Sequence, residues 1–153
     1  MTELLFYHLE RARLEGVLPD LLEKTLLKGW RATVRTTSSE RVTALDTLLW
    51  SYRDESFLPH GSGSAETETA EIQPIWITNQ MQSPNNPEIL FLVDGAEHTV
   101  DELGDYQRCV AIFDGHDHDA VADARHLWKS AKEKGHDVTY WKQSDTGKFA
   151  KQG

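Results

Sequence analysis

Cysteine is nearly missing: Cys109 is the only one in 153 residues. A lone thiol excludes an internal disulfide and suits a reducing compartment. No apolar run approaches the roughly 18 residues of a membrane span. The opening Met1-Thr2-Glu3-Leu4 also lacks the basic stretch and long apolar core of a secretory signal. The expectation is a cytoplasmic chain with no membrane partner. Cations are scarce too, with 16 Lys and Arg against 25 Asp and Glu, a net charge of −9. A domain gripping nucleic acid by its phosphates would be basic, so any contact with DNA is expected to be indirect. Neither a Gly-Lys-Ser/Thr phosphate loop nor a Gly-x-Ser-x-Gly elbow occurs. Gly61-Ser62-Gly63-Ser64 starts like a dinucleotide fingerprint, but the third glycine is absent and a helical segment precedes it. No internal repeat is visible, and the residues imply no cofactor.

What is present is ordinary for a globular chain: 39% hydrophobic and 27% charged residues. The length predicts one domain. Short apolar runs at 4–9, 32–37, 72–79, 88–94, 109–113 and 138–141 read as strands. Between them lie helix-like stretches. Leu18, Leu21, Leu22 and Leu26 follow helical spacing, with Pro19 suited to a first turn and Gly29 to the stop. Thr37-Ser38-Ser39-Glu40 can form a capping box for a helix bearing Val42, Leu45, Leu49 and Tyr52. Residues 100–106 offer at most a short helix. Residues 119–134 form the best one, alanine-rich and basic late, with Gly135 beyond its end. Continuous apolar strands alternating with helices indicate a three-layer α/β domain, a mostly parallel open sheet covered on both faces. It is expected to span residues 1–142, with 61–71 an acidic flexible loop and 143–153 a polar, loose tail.

The negative charge is unevenly spread. Residues 121–153 carry seven cations against four anions, a balance of +3 that leaves −12 for residues 1–120. Arg125, Lys129 and Lys132 stand at i, i+4 and i+7, on one helix face. Val121, Ala124, Trp128 and Ala131 line the neighbouring face and are expected to pack on the sheet. A cationic helix face is often only solvated. Here no glutamate stands four residues before these cations, and Trp128 lies beside them, a pattern suited to an acidic peptide with an apolar end.

A second cluster runs from Trp50 to His60, where a helix gives way to a loop. Trp50, Phe57 and Leu58 either fold back onto the core or form an apolar patch for a protein partner. A third, Asp114-Gly115-His116-Asp117-His118-Asp119, follows a central strand, where α/β folds bind ligands. His116, Asp117 and His118 offer metal ligands for a hydrolase; the alternative is a strand-to-helix loop with Asp117 or Asp119 as N-cap. Cys109, mid-strand, should be buried and inert.

The segment Glu55-Ser56-Phe57-Leu58-Pro59-His60, with Trp50 before it, resembles the signature of the chi subunit of bacterial DNA polymerase III. The likeness extends to Phe6-Tyr7, Lys28-Gly29-Trp30-Arg31, Pro74-Ile75-Trp76-Ile77, the strand at 89–92, and Ala124-Arg125 through Lys129 to Gly135. That resemblance implies a Rossmann-like fold without a nucleotide-binding loop, and a clamp-loader accessory subunit rather than an enzyme. Such a subunit grips the acidic C-terminal tail of single-stranded DNA-binding protein, which ends in Pro-Phe. Arg125 and Lys129 match the family's basic contacts, with Trp128 between them. Lys132 would add attraction, and Val138 and Tyr140 would wall a slot for the Phe ring. The resemblance also implies a psi-like partner at Trp50, Phe57, Leu58 and His60. The acidic loop at 61–71 departs from the pattern at that second contact. Two other readings stand beside it: a metal-dependent hydrolase resting on residues 116–118, and a generic α/β protein-binding module.

Overall fold

Strands apolar on both faces need cover on both sides, and the computed structural model provides it; it describes residues 2–52, 58–63, 67–144, 146 and 148–152. In chain order the elements are β1 (Glu3–Leu9), α1 (Leu14–Leu27), β2 (Ala32–Arg35), α2 (Ser39–Ser51), β3 (Gly61–Ser62), a single 3-10 turn (Ala70–Ile72), β4 (Ile75–Thr78), β5 (Ile89–Leu92), α3 (Val100–Leu103), β6 (Arg108–Asp114), α4 (His118–Glu133), β7 (Asp137–Gln143) and β8 (Phe149–Gln152). The described strands form one sheet in the order β3-β4-β2-β5-β6-β1-β7-β8. All neighbours run parallel except β7 and β8.

Successive strand residues face opposite sides, and the core divides accordingly. On one face Val34, Phe91, Val110 and Ile112 pack against Leu18 and Leu22 of α1 and Val42, Leu45 and Leu49 of α2. On the other, Leu4, Phe6, Leu90 and Leu92 pack against Leu103 of α3 and Ala124, Leu127 and Ala131 of α4. This is the three-layer arrangement that the strand patterning predicts.

Several local expectations are corrected. Helix α1 begins at Leu14, so Pro19 lies inside it rather than in its first turn. Gly29 does end it, at a left-handed φ of 85°. The N-cap of α2 is Ser38, which accepts from the backbone N–H of Arg41; one residue of offset removes Glu40 from a capping box. A full capping box forms instead at Thr99 and Glu102 on α3. The strand expected at 72–79 starts at Ile75, after Pro74, because the chain still turns at Ile72. Gly61 and Ser62, expected in a flexible loop, pair with Trp76 and Ile77.

The region past 142 is not loose along its described length. Residues Phe149–Gln152 pair antiparallel with β7. The Phe149 ring meets Tyr7 edge-on at 5.2 Å. The Gln143 side-chain oxygen accepts from the N–H groups of Glu10, Arg11 and Ala12 at 3.0, 2.7 and 2.9 Å. A polar composition concealed this, since edge strands carry polar outer faces.

Candidate functional site

Helix α4 has the ends that its sequence asks for. Asp117 is the N-cap, and its carboxylate accepts from the N–H groups of Asp119 and Ala120. This resolves the choice between Asp117 and Asp119 and satisfies donors that a helix start leaves free. Ala124, Leu127 and Ala131 bury against the sheet. Arg125, Lys129 and Lys132 are exposed on one face, as their spacing dictates. None of the three makes an ion pair among the described residues. Lys134, by contrast, is held by Asp101, Nζ to Oδ1 2.6 Å, and this hydrogen bond, together with the Lys134 charge, keeps the Asp101 carboxyl below its ordinary pKa. Lys132 Nζ stands 4.4 Å from the centre of the Trp128 ring, a cation–π distance.

Trp128, Val138 and Tyr140 are half-buried and pack against the same core cluster. Tyr140 stacks on Phe6, centroids 6.0 Å apart and planes 15° off parallel. Its hydroxyl lies 2.7 Å from His8 Nδ1, and His8 Nε2 lies 2.8 Å from Glu10 Oε1. Burial raises the Tyr140 pKa, and the Arg125 charge opposes that rise. The Glu10–His8–Tyr140 chain ties the Tyr140 hydroxyl to the end of β1. It was not legible beforehand, because its members lie 132 residues apart.

The second cluster is split by the fold. Leu58 is 3% exposed and belongs to the core. The His60 side chain is also interior, with Nδ1 2.6 Å from the Leu58 carbonyl oxygen and Nε2 3.0 Å from Asp46 Oδ1. Trp50 is 57% exposed and leans on the His60 ring at 4.9 Å. Phe57 lies outside the described residues. Of Trp50, Leu58 and His60, only Trp50 is exposed.

The loop before α4 is spent on structure. The Asp114 carboxylate accepts from the His116 N–H, Asp117 caps the helix, and His116 Nε2 is 2.7 Å from the Glu10 carbonyl oxygen. His118 is exposed in the first turn of α4. Among the described residues, no group of three His, Cys, Asp or Glu side chains is placed to hold a metal. Cys109 is buried, and desolvation pushes its thiol up to about 12. No described helix is long and apolar enough to cross a membrane.

Two features escaped the sequence reading. One is Arg35, 1% exposed, paired with Glu102 at 2.8 Å and donating to the carbonyl oxygens of Met81 and Glu97. The other is an apolar groove of about 370 Å³ on the α3 side of α4, the flank opposite the cations. Its only sequence signal is a surplus of alanine along α4.

Comparison with known proteins gives a consistent assignment. The probable DNA polymerase III subunit chi of Rickettsia prowazekii (strain Madrid E) is 30% identical over 93 residues, 61% of this chain and 55% of that protein. The chain thus matches about half the length of that curated relative. The profile of the family described as DNA polymerase III chi subunit, HolC, matches residues 1–139, and the chain belongs to that family.

Proposed function

We propose that this chain is a non-catalytic replisome adaptor, a chi-like subunit linking the DNA polymerase III clamp loader to the acidic C-terminal tail of single-stranded DNA-binding protein. Family membership supports the replication role. The observation that carries the tail contact is the face of α4: Arg125, Lys129 and Lys132 free of internal ion pairs, beside Trp128.

The chemistry follows from the side chains. Arg125 pairs in fork geometry with the tail's terminal carboxylate. Lys129 and Lys132 attract its aspartates. The terminal Phe ring lies against Trp128, Val138 and Tyr140. A few anchors on a flexible tail give weak binding, on the order of micromolar, and surface charges make it salt-sensitive. A psi-like partner takes the region around Trp50, whose ring is exposed.

Calorimetry with an Asp-rich peptide ending in Pro-Phe, at two salt concentrations, tests the reading. Saturable binding that weakens with salt and is largely lost in Arg125→Ala supports it. Unchanged affinity in that variant rejects the assigned contact. Lys129→Glu should lose more than Lys129→Ala, because it adds repulsion; equal losses argue against an electrostatic role.

A further inference from the structure

The groove on the other flank of α4 has a physical origin. Leu92, Val100 and Phe113 line it from the sheet and α3, and Ala120 and Leu127 line it from α4. Gly95, Ala111, Ala120 and Ala124 stand where larger side chains would fill the space. Its lip is a sharp turn after β5, with Asp94 at φ 57° and Gly95 at φ 75°. Asp94 is held there by the Arg41 Nε–H at 2.9 Å and the Thr36 hydroxyl at 2.7 Å. Most of the groove's lining comes from helices and strands, and its surface is mostly apolar, with His98, His126 and Ser130 as polar lining beside Asp123.

It opens onto a crevice at the carboxyl ends of the strands, and the two share Phe113, Ala120 and Asp123. Seven Asp and Glu residues line that crevice against two arginines, Arg11 and Arg13, so its charge is negative. Some of it is engaged internally: Asp94 by Arg41, Asp117 by the helix start, Glu10 by His8. The carboxylates of Asp119 and Asp123 are not: neither makes a hydrogen bond or ion pair among the described residues. They are one turn apart on α4; Asp123 lines both the groove and the crevice, and Asp119 lines the crevice.

We propose that this groove docks a short basic amphipathic segment of a partner protein. An apolar side chain of that segment fills the hollow beside Ala120 and Leu127, and a flanking Lys or Arg pairs with Asp119 and Asp123. This is the helix-in-groove mode, with charge complementarity choosing the occupant. The site shares no contact residue with the cationic face, so α4 serves two partners of opposite charge, one on each flank. The inference goes beyond the tail-binding reading and does not depend on it.

The test is a titration of the isotope-labelled full chain, followed by NMR, with a blocked peptide carrying leucines at helical i, i+3, i+4, i+7 spacing and lysines elsewhere. Saturable shifts at Leu92, Val100, Ala120 and Leu127 are expected. Affinity should fall about tenfold in Asp123→Lys, where an exposed charge is reversed. Ala120→Trp, which fills the hollow, should abolish binding; circular dichroism checks its fold. A control peptide with serines for leucines should not bind. Equal binding by that control, shifts centred on Arg125 to Lys132, or no saturable shift overturns the proposal. Shifts at the groove that grow with protein concentration in the absence of peptide also overturn it, since they make a second copy the occupant.

Discussion

Gly115 has no room for a side chain. A Cβ there would fall on the His8 ring and lie 2.7 Å from the Leu9 carbonyl oxygen. The loop must come this close because the Gly115 N–H donates to that oxygen at 2.7 Å. Gly115→Ala should therefore destabilise the fold by about 2–3 kcal/mol, the usual range for overpacking, read as a lower denaturant midpoint. His8→Ala in the same chain should restore only part of it, because the backbone oxygen remains. Cys109 makes the second prediction at this scale. Burial raises its thiol from 9.0 to about 12, so the folded chain keeps a proton that the unfolded chain releases. Its contribution to stability is full below pH 9 and is lost as pH rises towards about 12. A thiol reagent at pH 8 should leave the native protein unlabelled and label it on unfolding; prompt labelling of the native chain would contradict the burial. The sequence made the thiol's inertness legible, because Cys109 sits in a continuous apolar run. It could not reveal why position 115 must be glycine, since that depends on a histidine more than a hundred residues earlier.

Helix α4 was the most legible element. Its cap, its alanine-rich buried stripe, its late cations and the terminal Gly135 at φ 84° all agree with one another. Asp117→Ala should cost about 1 kcal/mol, the usual loss of an N-cap, measured by thermal or chemical unfolding. It should not alter acidic-peptide affinity, because Arg125 lies two turns away. The relative positions of the cations were also fixed by spacing alone, since helix geometry places i, i+4 and i+7 together whatever surrounds them. Short elements were less readable. The 3-10 turn at Ala70–Ile72 and the edge strand Gly61–Ser62 carry little periodicity, and pairing with β4, not propensity, holds the strand.

At the scale of the molecule, buried polar groups tie the layers together. Arg35, on the inner strand β2, reaches Glu102 of α3 and two loop carbonyl oxygens. Arg35→Met should cost about 3 kcal/mol, since it leaves Glu102 and the carbonyls without their cation. Equilibrium unfolding would measure this, and a near-neutral outcome would mean that the ion pair only compensates its own desolvation. Gln143 does the same at the far edge, where one side-chain oxygen gathers three N–H groups of the β1–α1 connection. Neither residue stood out in the chain, because a polar side chain at the end of a strand gives no sign in the sequence of being buried.

Patterning by itself determined the layer architecture and the cationic face of α4. Both depend on periods of two and 3.6 residues, which the backbone imposes locally. Only the tertiary structure decided which residues meet across the sheet. It turned a polar tail into an edge strand, sent Leu58 and His60 inward, and left a hollow where alanines of α4 face Leu92 and Val100. Such outcomes depend on shape and on contacts between distant segments, and spacing along a chain carries no record of them.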